Sequence, residues 1–548
     1  TGDALNFGSL SFNSTGDVEI AEDSSTQLAG SNTAASLVLN ARGTITNATG
    51  ASLSVTGTTG LTAHDGTNTQ SITLDSANNS LGGDVSASGD HITLVNTGAL
   101  SLAAVSASGN LSVTAVGVSQ TSDGLAVVGS TSINAGAGAI TLSSENTLTG
   151  AVSLNNSGAH NVSLKNSQAT VLGTSSLGTG RLSVSSDGAI TQSGAIVQTA
   201  NAGSVSITAT GQSVTLSDAG NDFTGVVNVN AGSTNLKDQN TLTAVLNTTG
   251  NTTLTAVGKL IVNGTVSGLS SDLVLTASHV SFGDATVEGH LMSTTTGEGA
   301  SGGVAQTGQL VVKGNTDFIA NTGKNQSADL SLSNDFQGTV SFTKANGGSW
   351  KLVKVTDRND LKPGNFDIDG DLYLNVGGSI VQDTSNGNKI MVGGKTDLTA
   401  TGVIRLDGTS NDFNGTVNAS GKDIILNELD WYAENGIKLH TGKTVTRIDR
   451  VRRRVIAADG TEESYDRLLI ATGGGGTAET AAQLHEKIGK ILSRLRAACP
   501  VPFRAEQAIG PRAIPFGTVP GIDGTLDPGG NLNLLFREAD AVISTAGY

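Results

Sequence analysis

The segments NDFTGVV (221–227), NDFQGTV (334–340) and NDFNGTV (411–417) decide how this chain is read. Two looser copies, NSLGGDV (79–85) and NTLTGAV (146–152), share the frame Asn-X-Leu/Phe-X-Gly-X-Val. A short alternating run precedes each copy: SITL, AITL, SVTL, DLSL and VIRL in chain order. A strand that stops at an Asn-led turn and restarts with one apolar residue, Gly and Val describes one corner of a coil. The copies begin at Asn79, Asn146, Asn221, Asn334 and Asn411, so the offsets are 67, 75, 113 and 77. Recurring short-strand units of this kind signal a solenoid.

Working outward, the same alternation fills the first four-fifths of the chain, in stretches such as SLVLNARGTIT (36–46) and SVSITATGQSVTL (204–216). Period-2 patterning marks half-buried strands. It also excludes disorder, because disordered chains lack aliphatic residues at regular spacing. With 73 Gly among 548 residues, 3% aromatic and 14% charged, the chain is poorly equipped for one large globular core. A stack of coils needs only a narrow core renewed at each rung. Offsets divide into coils of ~19 to 25 residues, and about twenty coils at ~4.8 Å per rung make a rod of roughly 100 Å. Asn and Gly are expected at the corners, where positive φ is tolerated. Immunoglobulin-like sandwiches are the rival all-β array, but the five copies lack a single period near ~90 to 100 residues.

Composition changes near residue 428. Residues 1–427 hold 16 Lys/Arg against 32 Asp/Glu and carry the whole net charge of −16, while residues 428–548 hold 15 of each. Eleven of the Arg lie at or beyond Arg447, and six of the 7 Pro follow Cys499. The expected organisation is a repeat region over 1–427, with a projecting loop or hairpin near 347–371 where Trp350, Pro363 and several charges gather. A β fragment over 428–476 follows, then an amphipathic helix (477–498) with a Pro-rich tail to 548, a candidate cap. The fold class is all-β, a parallel β-helix solenoid, followed by a small mixed α/β C-terminal segment.

The single Cys499 excludes an intrachain disulfide framework and a Cys-ligated zinc or iron–sulfur site within one chain. No stretch reaches the ~18 to 20 apolar residues of a membrane helix. The opening TGDALNFGSL has neither Met nor a leader pattern and reads as a processed end or an excised fragment.

The three NDF copies and their preceding strands resemble the passenger proteins of two-partner secretion, the filamentous-haemagglutinin-like adhesins of Gram-negative bacteria. That resemblance spans about residues 1–427. It implies a right-handed parallel β-helix, export through an outer-membrane transporter, display at the cell surface, and adhesion to glycans, matrix or other cells, with self-association among its contacts and no nucleic acid. A second resemblance covers WYAENGI (431–437), TGKTVTRIDR (441–450) and YDRLLIATG (465–473), which look like a piece of a pyridine-nucleotide-dependent flavoprotein, the large subunit of NADH-dependent nitrite reductase. In that family Ala471-Thr472-Gly473 would end a strand beside FAD. No G-X-G-X-X-G loop accompanies it here to hold a pyrophosphate. The strands 441–449, 452–458 and 465–471 are therefore expected to extend or cap the last rung of the coil.

Candidate sites are few. Asp367, Asp369 and Asp371 have the spacing that opens a calcium loop but lack its Gly and terminal Glu, so they read as an acidic turn. The seven His (64, 91, 160, 279, 290, 440, 485) show no metal-ligand pairing. A polysaccharide lyase or hydrolase would need a carboxylate pair or a calcium–Arg constellation on one face. Residues 1–427 offer only Arg42, Arg181, Arg358 and Arg405, and carboxylates standing singly apart from Glu22-Asp23. No catalytic, cofactor-binding or metal-ligating residue is assigned, and no cofactor is expected. The expected function is adhesive or structural and non-enzymatic; a glycan-degrading β-helix enzyme is the alternative, and a remnant flavin oxidoreductase the second.

Overall fold

The computed structural model describes residues 6–425, 438, 440, 443, 445–466 and 468–471, with the short strands Glu506–Ala508, Gly524–Leu526 and Ala541–Ser544. The helix expected over 477–498 and the WYAENGI stretch lie outside the described residues.

Residues 6–425 form a parallel β-solenoid, as the alternating pattern requires. One coil runs through Leu37–Ala41, Ile45–Asn47 and Ser52–Val55 before Thr59–Ala63 begins the next. Each strand pairs in parallel with its counterpart one coil on: Leu37 lies opposite Thr59, Ile45 opposite Ile72, and Ser54 opposite Ser80. The alternation sets the faces. Leu37 and Leu39 are wholly buried, whereas Val38 between them is exposed. Backbone amides find their partners in the adjacent coil, so the narrow interior carries no unpaired ladder.

The chain divides into two compact units: residues up to 297 with 307–314, and residues 298–306 with 315 onward. In the first unit coil length varies widely. The coil that sets Val227 opposite Ala244 is short, and the one that sets Thr59 opposite Val85 is long. Its interior is mainly aliphatic, with Phe223 and Phe282 also fully buried. Leu216, Leu236, Leu254 and Leu275 stack in register over four coils, each at or near zero exposure. The second unit also mixes lengths: the coils that set Gln326 opposite Trp350 and Leu372 opposite Thr396 are longer than the one that sets Leu352 opposite Asp371. Its interior adds an aromatic cluster to the aliphatic core. Phe318, Phe342 and Phe366 occupy one register column. Phe318 and Phe342 stack with centroids 4.9 Å apart, and Trp350 meets Phe342 edge-on at 5.7 Å.

That column overturns one expectation. Residues 347–371 do not project; Trp350–Asp357 and Lys362–Ile368 are coil strands in parallel register. Trp350 is fully buried and its indole N–H donates to the Thr343 carbonyl at 2.8 Å. The indole's one polar atom is satisfied, so the largest side chain can serve as core. The segment's charges face outward or pair, except Asp357, which is buried.

Corner glycines are explained differently from expectation. Gly129 and Gly150 lack a positive φ, yet a Cβ on Gly150 would sit 2.2 Å from the Gly129 carbonyl, and one on Gly129 2.3 Å from Asn110 Oδ1. The neighbouring coil, rather than φ, demands glycine there. Some corners do use the left-handed region, Gly117 among them at φ 94°.

After Ile425 the chemistry changes. Val445–Asp449, Arg454–Ala457 and Glu462–Ser464 form an antiparallel meander, with Asp449 opposite Arg454 and Arg454 opposite Ser464. Leu468–Ala471 pairs in parallel with Ala541–Ser544. Among the described residues these strands pair with one another or with the tail. They do not extend the parallel ladder of the coil, because a meander joined by tight turns runs antiparallel by geometry.

Candidate binding surface

The motif asparagines turn into the coil. Asn79, Asn146, Asn221 and Asn334 have no exposed surface, and Asn411 is half-buried. In Asn221, Oδ1 accepts the backbone N–H of Ile196 at 2.9 Å while Nδ2 donates to the Leu216 carbonyl at 3.1 Å. The remaining amide valences go to a glutamine. Gln192 Nε2 donates to Asn221 Oδ1 at 2.9 Å, and Asn221 Nδ2 donates to Gln192 Oε1 at 3.0 Å. The same reciprocal amide clasp joins Gln120 to Asn146, Gln306 to Asn334 and Gln382 to Asn411. In the first copy Asn47 stands in for the glutamine and accepts from Asn79 Nδ2 at 3.2 Å. These glutamines were missed in the sequence. Their signal was present, in GVSQ (117–120), AITQ (189–192), GVAQ (303–306) and SIVQ (379–382), each ending about one coil before its Asn.

A second interior contact grips the third residue of the first four motifs from the following coil. Asn96 accepts from the Leu81 N–H and Asn166 from the Leu148 N–H. Asp238 and Asp357 take this place for Phe223 and Phe336, each at 2.7 Å, and each carboxylate also accepts the amide two residues on, Asn240 or Asn359. Burial raises the pKa of both carboxyls, against the lowering effect of those backbone hydrogen bonds.

The other charged groups noted in the sequence serve the coil itself. Lys344 bridges Asp367 and Asp369 at 2.8 Å each, and Asp371 Oδ1 caps the Lys395 backbone amide. Glu22 is buried and receives the hydroxyls of Thr26 and Ser24. Arg358 pairs with Asp335, and Arg405 with Asp407. Burial raises the Asp335 pKa, but the hydrogen bonds from Arg358, Asn359 and Gln337 outweigh it and hold the carboxyl below its ordinary value. His91 Nδ1 accepts the Asn110 amide at 3.0 Å, a corner role. Among the described residues no three His, Cys, Asp or Glu side chains gather as a metal site.

What the coil presents outward is a set of uncharged polar columns. On one face of the first unit Thr46, Thr73, Thr93, Ser112, Ser132 and Ser153 follow one another in register. On another, Ser119, Thr141, Ser163, Ser183, Ser206 and Asn228 do the same. Rungs ~4.8 Å apart make these flat arrays of small hydrogen-bonding groups. In the second unit the equivalent face differs: Lys354, Tyr373, Asp397 and Asn418 form one outward column, and Thr356, Asn375, Thr399 and Ser420 its neighbour. Lys395 reaches over this pair, its ammonium 5.6 Å from the Tyr373 ring centre and 2.5 Å from Asp397 Oδ2. Tyr373, Asn375, Lys395, Asp397, Thr399 and Asn418 line an open concavity of about 350 Å³.

Among curated proteins, short matches join the chain to flavoprotein-type enzymes. It is 49% identical over 55 residues to an assimilatory nitrate reductase electron transfer subunit of Bacillus subtilis, covering 10% of this chain and 7% of that protein. It is 46% identical over 52 residues to a nitrite reductase [NAD(P)H] of the same organism, covering 10% and 6%, and 45% identical over 56 residues to the putidaredoxin reductase CamA of Pseudomonas putida, covering 10% and 13%. The chain thus spans only a small fraction of the length of these relatives. No solved structure matches it. A family model of repeats matches five segments, 15–88, 89–155, 159–230, 270–343 and 351–420, each containing one motif copy. The unmatched interval 231–269 accounts for the long offset between Asn221 and Asn334, since extra coil strands such as Thr234–Asp238 and Thr252–Ala256 fall within it. With well over half its length matched, this chain belongs to the family described as Repeats of unknown function (DUF5649).

Proposed function

We propose that this chain is a non-enzymatic adhesive or structural protein displayed outside the cell, in the manner of the filamentous-haemagglutinin-like passengers it resembles. Export through an outer-membrane transporter of a Gram-negative bacterium belongs to the same reading. The observation that supports it is the pair of outward Ser/Thr/Asn columns, repeated coil after coil. Each side chain offers one or two hydrogen-bonding groups on a flat surface, so a single contact is weak. Many identical contacts at fixed spacing add through effective concentration. Glycans and matrix polymers are themselves repetitive and hydroxyl-rich, and they suit such a surface. The motif asparagines, their glutamines and Asp238 and Asp357 are engaged in holding coils together rather than offered to a substrate.

Passing the purified chain over immobilised polysaccharides and matrix proteins, while assaying the same polymers for chain scission, tests this reading. Retention without cleavage is the expected result. Reproducible scission would make the protein a glycan-degrading enzyme instead. The flavoprotein-like stretch adds no redox function in this reading: the purified chain is expected to be colourless and to leave NADH unoxidised when FAD is added. A flavin absorption band retained through purification would overturn that part.

A further inference from the structure

We propose that the concavity around Tyr373 is a saccharide subsite that takes one pyranose ring of a larger glycan; this rests on the glycan-binding reading above and locates it. Tyr373 is the first tyrosine of the sequence and points outward, on a face where the first unit presents Ser, Thr and Asn. An outward aromatic ring is a flat apolar platform, and the less polar face of a pyranose is its natural complement. Polar groups surround the platform at the edge, where sugar hydroxyls would fall. Asp397 supplies a carboxylate that Lys395 and Asn418 hold in place, at 2.5 Å and 2.6 Å. Lys395 holds its ammonium over one face of the ring, 5.6 Å from its centre, and Asn375 and Thr399 continue the wall one column over.

Three features make this a better binding site than the bare columns. The concavity, at about 350 Å³, falls within the lower range of small-molecule pockets. Its donors and acceptors alternate, with Lys and Asn amide donors against Asp and Asn carbonyl acceptors, which matches vicinal hydroxyls that must both donate and accept. Its groups are positioned in advance: Tyr373 and Asp397 sit on adjacent strands in register, and Lys395 is anchored at its backbone by Asp371 Oδ1 at 2.8 Å. Little side-chain freedom is then lost on binding. The paired charges of Lys395 and Asp397 favour a neutral sugar over an acidic one.

The test uses the whole chain and a panel of neutral methyl glycosides (gluco, galacto, manno and N-acetylglucosamine forms), read by saturation-transfer NMR and by retention on the corresponding polysaccharides. Saturation transfer to one glycoside is expected, with Tyr373→Ala weakening it about tenfold or more. Tyr373→Phe should retain most binding, and Asp397→Ala should lose it. Ser183→Ala and Ser206→Ala, on the plain columns, should leave glycoside binding unchanged. Circular dichroism of each variant establishes that the coil is intact. If the wild type binds polysaccharide but Tyr373→Ala binds equally well, the subsite is wrong and the adhesive reading stands. If the wild type is retained by no polysaccharide and shows no transfer from any glycoside, both fail together.

Discussion

The coils before residue 298 and those after residue 315 are built on one template with different fillings. Both use strands of alternating burial, Asn-led corners and the Gln–Asn clasp. In the first unit the interior column is leucine, as in Leu236, Leu254 and Leu275. In the second it is Phe318, Phe342 and Phe366 with Trp350 beside them. Coil length does not simply follow filling: the coil that carries Leu236 onto Leu254 is shorter than the one that carries Phe318 onto Phe342, but the coil that carries Ile45 onto Ile72 is long and aliphatic. Interiors are packed to crystal-like density, so each filling must match the cross-section that its coil encloses. The template is therefore the polar clasp and the backbone ladder; the apolar filling is adjustable.

That distinction can be broken by substitution, and the largest effect is expected at the filling. Trp350→Ala should destabilise the second unit by about 3 to 5 kcal/mol, and Leu254→Ala the first by about 2 to 5 kcal/mol. Hydrogen exchange should place each loss in its own unit, since coils of a solenoid interact mainly with their neighbours. If both variants loosened the two units equally, the units would not be energetically separable.

The clasp should behave alike in both. Asn221→Ala and Asn334→Ala each strand a half-buried glutamine amide and a buried backbone group, at up to about 3 kcal/mol per unsatisfied group. Urea denaturation of the two variants should give losses of similar size. A large loss in one and none in the other would show that the clasp is not common scaffolding.

A smaller, pH-dependent effect is expected at Asp238 and Asp357. Burial raises both pKa values from 3.8, so the folded chain holds these protons to higher pH than the unfolded chain does. The associated stability is complete below the unfolded pKa and is lost as pH rises through the folded one. The stability of wild type relative to Asp357→Asn should therefore decline as pH climbs from about 4 through the raised pKa. A pH-independent difference would sink the assignment. The substitution also leaves the Asn359 amide short of an acceptor, but that offset does not vary with pH.

The smallest effect on folding is expected at the surface. Tyr373→Ala and Ser206→Ala should each shift stability by no more than about 0.5 kcal/mol. Thermal unfolding of both variants measures it. A large loss for Tyr373→Ala alone would make that ring a packing element.

Much of the fold was legible because its signal is local. SVTL before NDFTGVV states which side chains face inward without reference to any other coil, and period-2 burial followed as read. The break near residue 428 is a change in charge and proline content; beyond it the meander over 445–464 is antiparallel, while Leu468–Ala471 pairs in parallel with Ala541–Ser544. The candidate surface was not legible. Tyr373, Lys395, Asp397 and Asn418 come from three successive coils, and nothing in their spacing announces a common concavity.

The sequence by itself determined the strand pattern, the repeat and the Asn-led corner, because each depends on a few consecutive residues and on the alternation of side chains along a strand. Only the tertiary structure decided which residues meet across coils. Coil length is not constant, as the pairings of Val227 with Ala244 and of Thr59 with Val85 show, so lengthening any corner shifts the partner of every side chain beyond it. Trp350 turned inward, the motif asparagines found their glutamines, and an outward tyrosine came beside a lysine and an aspartate because inter-coil register is set by packing and backbone pairing over the whole coil.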